Sequence, residues 1–174
     1  MKKLKYLVVT LLFLPVLVFS NNVFAEGEEN NGISGEQRAI IVDHCDTIKD
    51  ALKSLQRVDS RSRVYLGRYY EAILTNFITP LNLRLVENNI SNSKLLDNQT
   101  NFANRRTSFV NDFIVYQQAL EELVHTDCKN EPEKFYERLV VAREKRKVVN
   151  RDVSKLRGYT DEQKKLVEEL KNGK

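Results

Sequence analysis

Apolar positions follow two patterns along the chain. Near the start, Leu7 to Phe19 form a dense run broken only by Thr10 and Pro15, while beyond it three long stretches carry apolar residues at spacings that repeat every seven. Such spacing keeps one stripe on a single side of an α-helix, which turns once in about 3.6 residues. In the first stretch the stripe runs through Ile41, Cys45, Ile48, Leu52 and Leu55, then Val58, Tyr65, Leu66, Tyr69 and Ile73. Ser34 with Gln37 three residues later is a capping-box signal, which places the helix start at about 35. Thr79-Pro80 supplies a cap and a first-turn proline expected to restart or kink the helix before Leu81 to Val86, and Asn88-Asn89 ends it near 87.

The second stretch has the cleanest pattern. Phe102, Phe109, Tyr116 and Leu123 recur every seven residues beside a parallel row of Arg106, Phe113 and Leu120, predicting a helix over about 92–127 with Ser91 or Ser93 as its cap. Phe135, Ala142, Val149 and Leu156, beside Leu139, Arg146 and Val153, repeat the scheme after the Asn130-Glu131-Pro132 start signal. Gly158 is expected to stop this helix at about 157. Thr160 and Gln163 then form a capping box for a short helix over 161–172, with Leu166, Val167 and Leu170 on its apolar face.

These segments predict an all-α fold: an elongated antiparallel helical hairpin with a third helix alongside, a three-helix coiled-coil-like bundle, followed by a short C-terminal helix. The whole forms one domain over 34–173. The absence of Trp and the low content of Gly (6) and Pro (3) suit long helices better than sheets.

The early apolar run is a different matter. Lys2, Lys3 and Lys5 precede it, and Val23-Phe24-Ala25 offers small residues at the cleavage positions, so residues 1–25 read as a secretory signal removed near Ala25. A run this short falls below the roughly 20 residues of a spanning helix, and no other segment is apolar enough to span. Residues 26–33 form a polar, flexible leader. The chain has 28 basic and 24 acidic residues, a net charge of +4, and removing three signal lysines brings this to +1. The high isoelectric point therefore resides largely in the signal, and no nucleic-acid partner is expected.

Export changes the meaning of the two cysteines. Cys45 and Cys128, outside a reducing cytoplasm, are expected to form an intramolecular disulfide. The midpoint between them falls at residues 86 to 87, where the Asn88-Asn89 breaker independently puts the hairpin bend. That register sets Asp59 in one layer with Arg146, as a structural ion pair, and Arg106 opposite Gly67 with Glu71 as its partner. His44 and His125 add a zinc-like ligand inventory, but neighbours such as His44 and Cys45 diverge by about 100° on a helix, so metal is not expected.

Basic residues crowd two helices. Arg57, Arg61, Arg63 and Arg68 surround Tyr65, Tyr69 and Tyr70, while Arg143, Lys145, Lys147, Arg151, Lys155 and Arg157 populate the third helix. Arg57, Arg61, Arg68, Arg143, Lys147 and Arg151 form the candidate contact surface for anionic polymers or lipid headgroups. Catalytic patterns are missing: there is no Gly-rich phosphate loop, no HExxH and no Gly-x-Ser-x-Gly elbow. No cofactor and no enzymatic activity are expected. The sequons at Asn89 and Asn98 are short patterns that arise by chance.

The segments Cys45-x-x-Ile48-Lys49, Asp59-Ser60-Arg61-x-Arg63-Val64-Tyr65-Leu66-Gly67 and Phe77-Ile78-Thr79-Pro80-Leu81-Asn82-x-Arg84-Leu85-Val86, with Asp112-Phe113-Ile114-x-Tyr116 and Cys128, resemble one particular group. These are exported helical proteins of Saccharibacteria and related epibiotic bacteria. The resemblance implies an extracellular or envelope setting and carries over no activity, cofactor or catalytic residue. The expectation is a non-enzymatic interaction or scaffold protein of the cell exterior, with a protein or cell-envelope partner. Its rivals are a binder of anionic envelope surfaces and a self-associating rod, a homo-oligomer.

Overall fold

The computed structural model describes residues 33–90 and 92–173. The expected signal, almost all of the leader, Ser91 and Lys174 lie outside the described residues. Within them every regular element is helical: α1 (Gly35–Asp43), α2 (Cys45–Ile73), a π-turn (Leu74–Ile78), α3 (Thr79–Glu87), α4 (Ser93–His125) and α5 (Pro132–Lys171). The fold is an all-α bundle in which α4 and α5 pair as a long antiparallel hairpin and α1 to α3 lie against it.

Local chemistry accounts for the element ends. Ser34 and Gln37 form the reciprocal capping box at the start of α1. Asn92, rather than Ser91 or Ser93, caps α4: its side chain accepts from the Leu95 amide, satisfying a donor that the first turn would otherwise leave unpaired. Asn89 takes a left-handed conformation, φ 60°, in the turn after α3, a geometry Asn tolerates better than most residues.

The first predicted helix is not uniform. It breaks at His44, and it widens over Leu74–Ile78, where the Thr79 amide donates to the Leu74 carbonyl five residues back. Pro80 explains the widening. It has no N–H to offer Asn76, and its ring would crowd that carbonyl in an ordinary α-turn. The extra residue rotates the helix, burying Ile78 and leaving Phe77 68% exposed.

The expected stop at Gly158 does not occur. α5 continues through it to Lys171, and the last turns predicted as a separate short helix belong to the same rod, about 60 Å long at 1.5 Å per residue. Thr160 does not cap a new helix, because its hydroxyl donates back to the Leu156 carbonyl.

The core follows the predicted rows on α4 and α5. Phe102, Phe109, Phe113, Tyr116, Leu120 and Leu123 are buried, facing Phe135, Ala142, Val149 and Leu156. Aromatic rings run edge-to-face down its centre, from Tyr70 to Phe109, Phe113 and Tyr116, with centroids 5.7–5.9 Å apart. On α2 the stripe shifts. Val58, Tyr65 and Tyr69, predicted as core, are exposed, whereas Tyr70 is buried.

Candidate interaction surface

Two sets of residues matter here: polar groups that fix how the helices pack, and a face that packing leaves open. Cys45 and Cys128 are bonded, with Cα atoms 5.6 Å apart, which ties the start of α2 to the loop between α4 and α5. His125 turns to its own helix, Nδ1 lying 2.8 Å from the Glu121 carbonyl. Among the described residues no cluster of His, Cys, Asp or Glu is arranged to hold a metal ion.

Asp59 lies in one layer with α4 and α5. The Tyr116 hydroxyl donates to its Oδ2 at 2.7 Å, and Arg146 approaches with Nε at 3.2 Å and Nη2 at 3.3 Å. Burial, and then the Asp59 carboxylate that would repel a phenolate, hold the Tyr116 proton well above the usual tyrosine range. Beside this layer Gln117 donates to Ser60 at 2.7 Å. Farther along, Arg106 pairs with Glu71. Gly67 does not make room for it, since a Cβ there would meet nothing within 4 Å.

Other polar layers escaped the sequence reading. Asp152 is only 2% exposed and accepts from Arg105 Nη1 at 2.9 Å. Its spacing carried the signal, three residues after Val149 and four before Leu156, on the apolar stripe. Asp112 of α4 adjoins this pair. Burial, then Asp152, push its carboxyl above the ordinary value, against the opposing pull of Arg105. Near the tip, Asn98 is buried and donates to the Tyr159 carbonyl at 3.0 Å and to Gln163 Oε1 at 2.8 Å. Its burial removes that sequon from the surface. Asn82 likewise donates to the Leu95 carbonyl at 3.1 Å.

The open face belongs to α2. Ser60, Arg61, Val64, Tyr65, Arg68 and Tyr69 line one shallow depression on its outer side, with Arg57 and Val58 exposed a turn earlier. Tyr65 and Tyr69 stack nearly parallel, centroids 6.4 Å apart and planes 7° from coplanar. Among the described residues no carboxylate pairs with Arg57, Arg61 or Arg68. The nearest acids along the helix, Asp59 and Glu71, are engaged by Arg146 and Arg106. Past Tyr69 the apolar row enters a groove between Ile73, Phe77 and Leu81 on one side and Gln163, Lys164 and Val167 of α5 on the other.

The basic residues of α5 are placed differently. Arg143, Lys147 and Arg151 are exposed, but Glu144 shares their face and holds Lys147 at 2.6 Å. The six predicted contact residues thus fall on two helices in different settings, and only the α2 set is interleaved with exposed aromatics.

The fold and these contacts define a disulfide-stapled, all-α bundle with buried polar layers and one open aromatic-cationic face. No protein-family model, no curated protein and no solved structure matches the chain. Among the described residues no helix is long and apolar enough to cross a membrane.

Proposed function

We propose that this protein is an exported, non-enzymatic interaction or scaffold protein of the cell exterior, engaging its partner through outward helix faces. One observation carries the reading: a helix with a core-like apolar pattern leaves Val58, Val64, Tyr65, Tyr69 and Phe77 facing solvent. Exposed apolar residues gathered in this way mark contact surfaces. The disulfide suits an oxidising compartment, in agreement with the signal-like start of the chain. The test is photo-crosslinking on intact cells from a reactive group at Val64, with a second at Val141 on α5 as reference. Capture of a defined component from Val64 but not Val141 supports the reading, and equal labelling from both overturns it.

A second reading, self-association, draws on the turn between α3 and α4. Leu83, Val86, Ile90 and Leu96 are exposed there, around a depression lined by Asn82, Leu85 and Leu95. Sedimentation decides it: a dimer of the native protein that Leu83→Asp dissociates supports pairing through the tip, and a native monomer eliminates it.

A further inference from the structure

Resting on the interaction reading above, we infer that the outer face of α2 docks on an anionic lipid surface. Arg57, Arg61 and Arg68 meet headgroup charge, and Val64, Tyr65 and Tyr69 enter the interfacial layer.

Charge is the first ground. Three guanidinium groups within three turns of helix have no carboxylate partner among the described residues, because Asp59 and Glu71 are turned to Arg146 and Arg106. The face therefore keeps its positive charge and calls for an anionic partner.

Shape is the second. The depression is built by residues of α2 alone, the convex back of one helix, and has no opposing wall to enclose a small anion. A broad, compliant partner fits such a ridge. From Arg57 to Phe77 the face extends about 30 Å at 1.5 Å per residue, lying along a surface as an interfacial helix does.

The mixture of side chains is the third, and it selects among anionic partners. Tyr65 is 69% exposed and Val64 52%, in the same layer as the arginines. A linear polyanion would satisfy the cations and leave these apolar groups in water. The boundary of a bilayer offers anionic headgroups and apolar depth together, and tyrosine, with an apolar ring and a polar tip, favours that boundary.

The test uses the full chain with its disulfide intact. Because the protein has no tryptophan, Tyr65→Trp places a single reporter on this face and Val141→Trp a single reporter on α5. Each is mixed with vesicles of phosphatidylcholine, or of phosphatidylcholine and phosphatidylglycerol in equal parts. The expected result is a blue shift of Tyr65→Trp emission, quenched by brominated acyl chains, with the anionic vesicles only, reversed by salt and absent from Val141→Trp. Replacing Arg57, Arg61 and Arg68 together by Ala, with circular dichroism showing the fold retained, weakens vesicle affinity on the order of a hundredfold. Binding through the apolar start of the chain leaves the reporter unshifted and overturns the inference. An equal shift with neutral vesicles, or a shift with heparin but no brominated-lipid quenching, overturns it too. If Val64 crosslinks a protein while vesicles leave the reporter unmoved, the lipid assignment falls and the interaction reading stands; if Val64 also captures nothing specific, both fall.

Discussion

Arg105 of α4 reaches 2.9 Å across the helix pair to Asp152 of α5, a carboxylate only 2% exposed. A buried ion pair of this kind fixes how two helices slide against each other, and its cost appears when one partner is removed. Arg105→Met leaves an uncompensated buried carboxylate and is expected to destabilise the protein by about 3 kcal/mol or more. The double variant Arg105→Met/Asp152→Leu is expected to recover most of that loss. Urea unfolding of both variants checks it, and equal losses would show that the pair has no such coupling.

Asp112, beside that pair, makes a pH prediction. Its carboxyl is raised above 3.8 in the folded protein, so the folded state holds this proton more tightly than the unfolded chain. Its contribution to stability is therefore gained as pH falls through the raised value towards 3.8 and lost as pH rises. Asp112→Asn should be more stable than the native protein at neutral pH, with the advantage shrinking on acidification across that window. Asp127, lowered by its bonds with Asn130 and the Lys129 amide, works in the opposite sense and loses its contribution as pH falls below 3.8.

The Cys45–Cys128 bond closes a loop with a sequence separation of 83 residues. On the chain-entropy account a loop of this size contributes on the order of 4 kcal/mol. Reduction, or Cys45→Ser/Cys128→Ser, should lower the denaturation midpoint accordingly while helix content persists at low denaturant. Unchanged midpoints with and without reductant would refute it.

Gly158 gives a prediction of opposite sign. It is exposed in the middle of α5, and a Cβ there would meet nothing within 4 Å. Gly158→Ala should stabilise the protein by about 0.5–1 kcal/mol through helix propensity. Were Gly158 a left-handed helix terminus, alanine would destabilise instead, so thermal melting of this variant also tests the continuity of α5.

The rows on α4 and α5 were legible because both helices bury one stripe against each other along their length. Asp59 and Arg146 could be placed together since an antiparallel register is settled by one pair of cysteines. Gly158 misled, as glycine often ends helices, yet the row Phe135, Ala142, Val149 and Leu156 continues in phase to Gln163 and Leu170. Phase was the better guide than composition. On α2 the periodic apolar stripe predicts core throughout, but packing on α4 buries a narrow band around Tyr70, and the π-turn before Pro80 moves the remainder. Periodicity tells which residues share a side, not whether another helix covers it.

The position of the disulfide has a mechanical consequence. It clasps the bundle at one end, beside the loop joining α4 and α5, while the opposite end is closed by the chain turn at Asn88–Ile90, with Asn82 and Leu95 buried next to it. Chain turn and disulfide together make α2, α3 and α4 a closed covalent ring, so α2 cannot part from its neighbours at the Cys45 end until that bond is reduced.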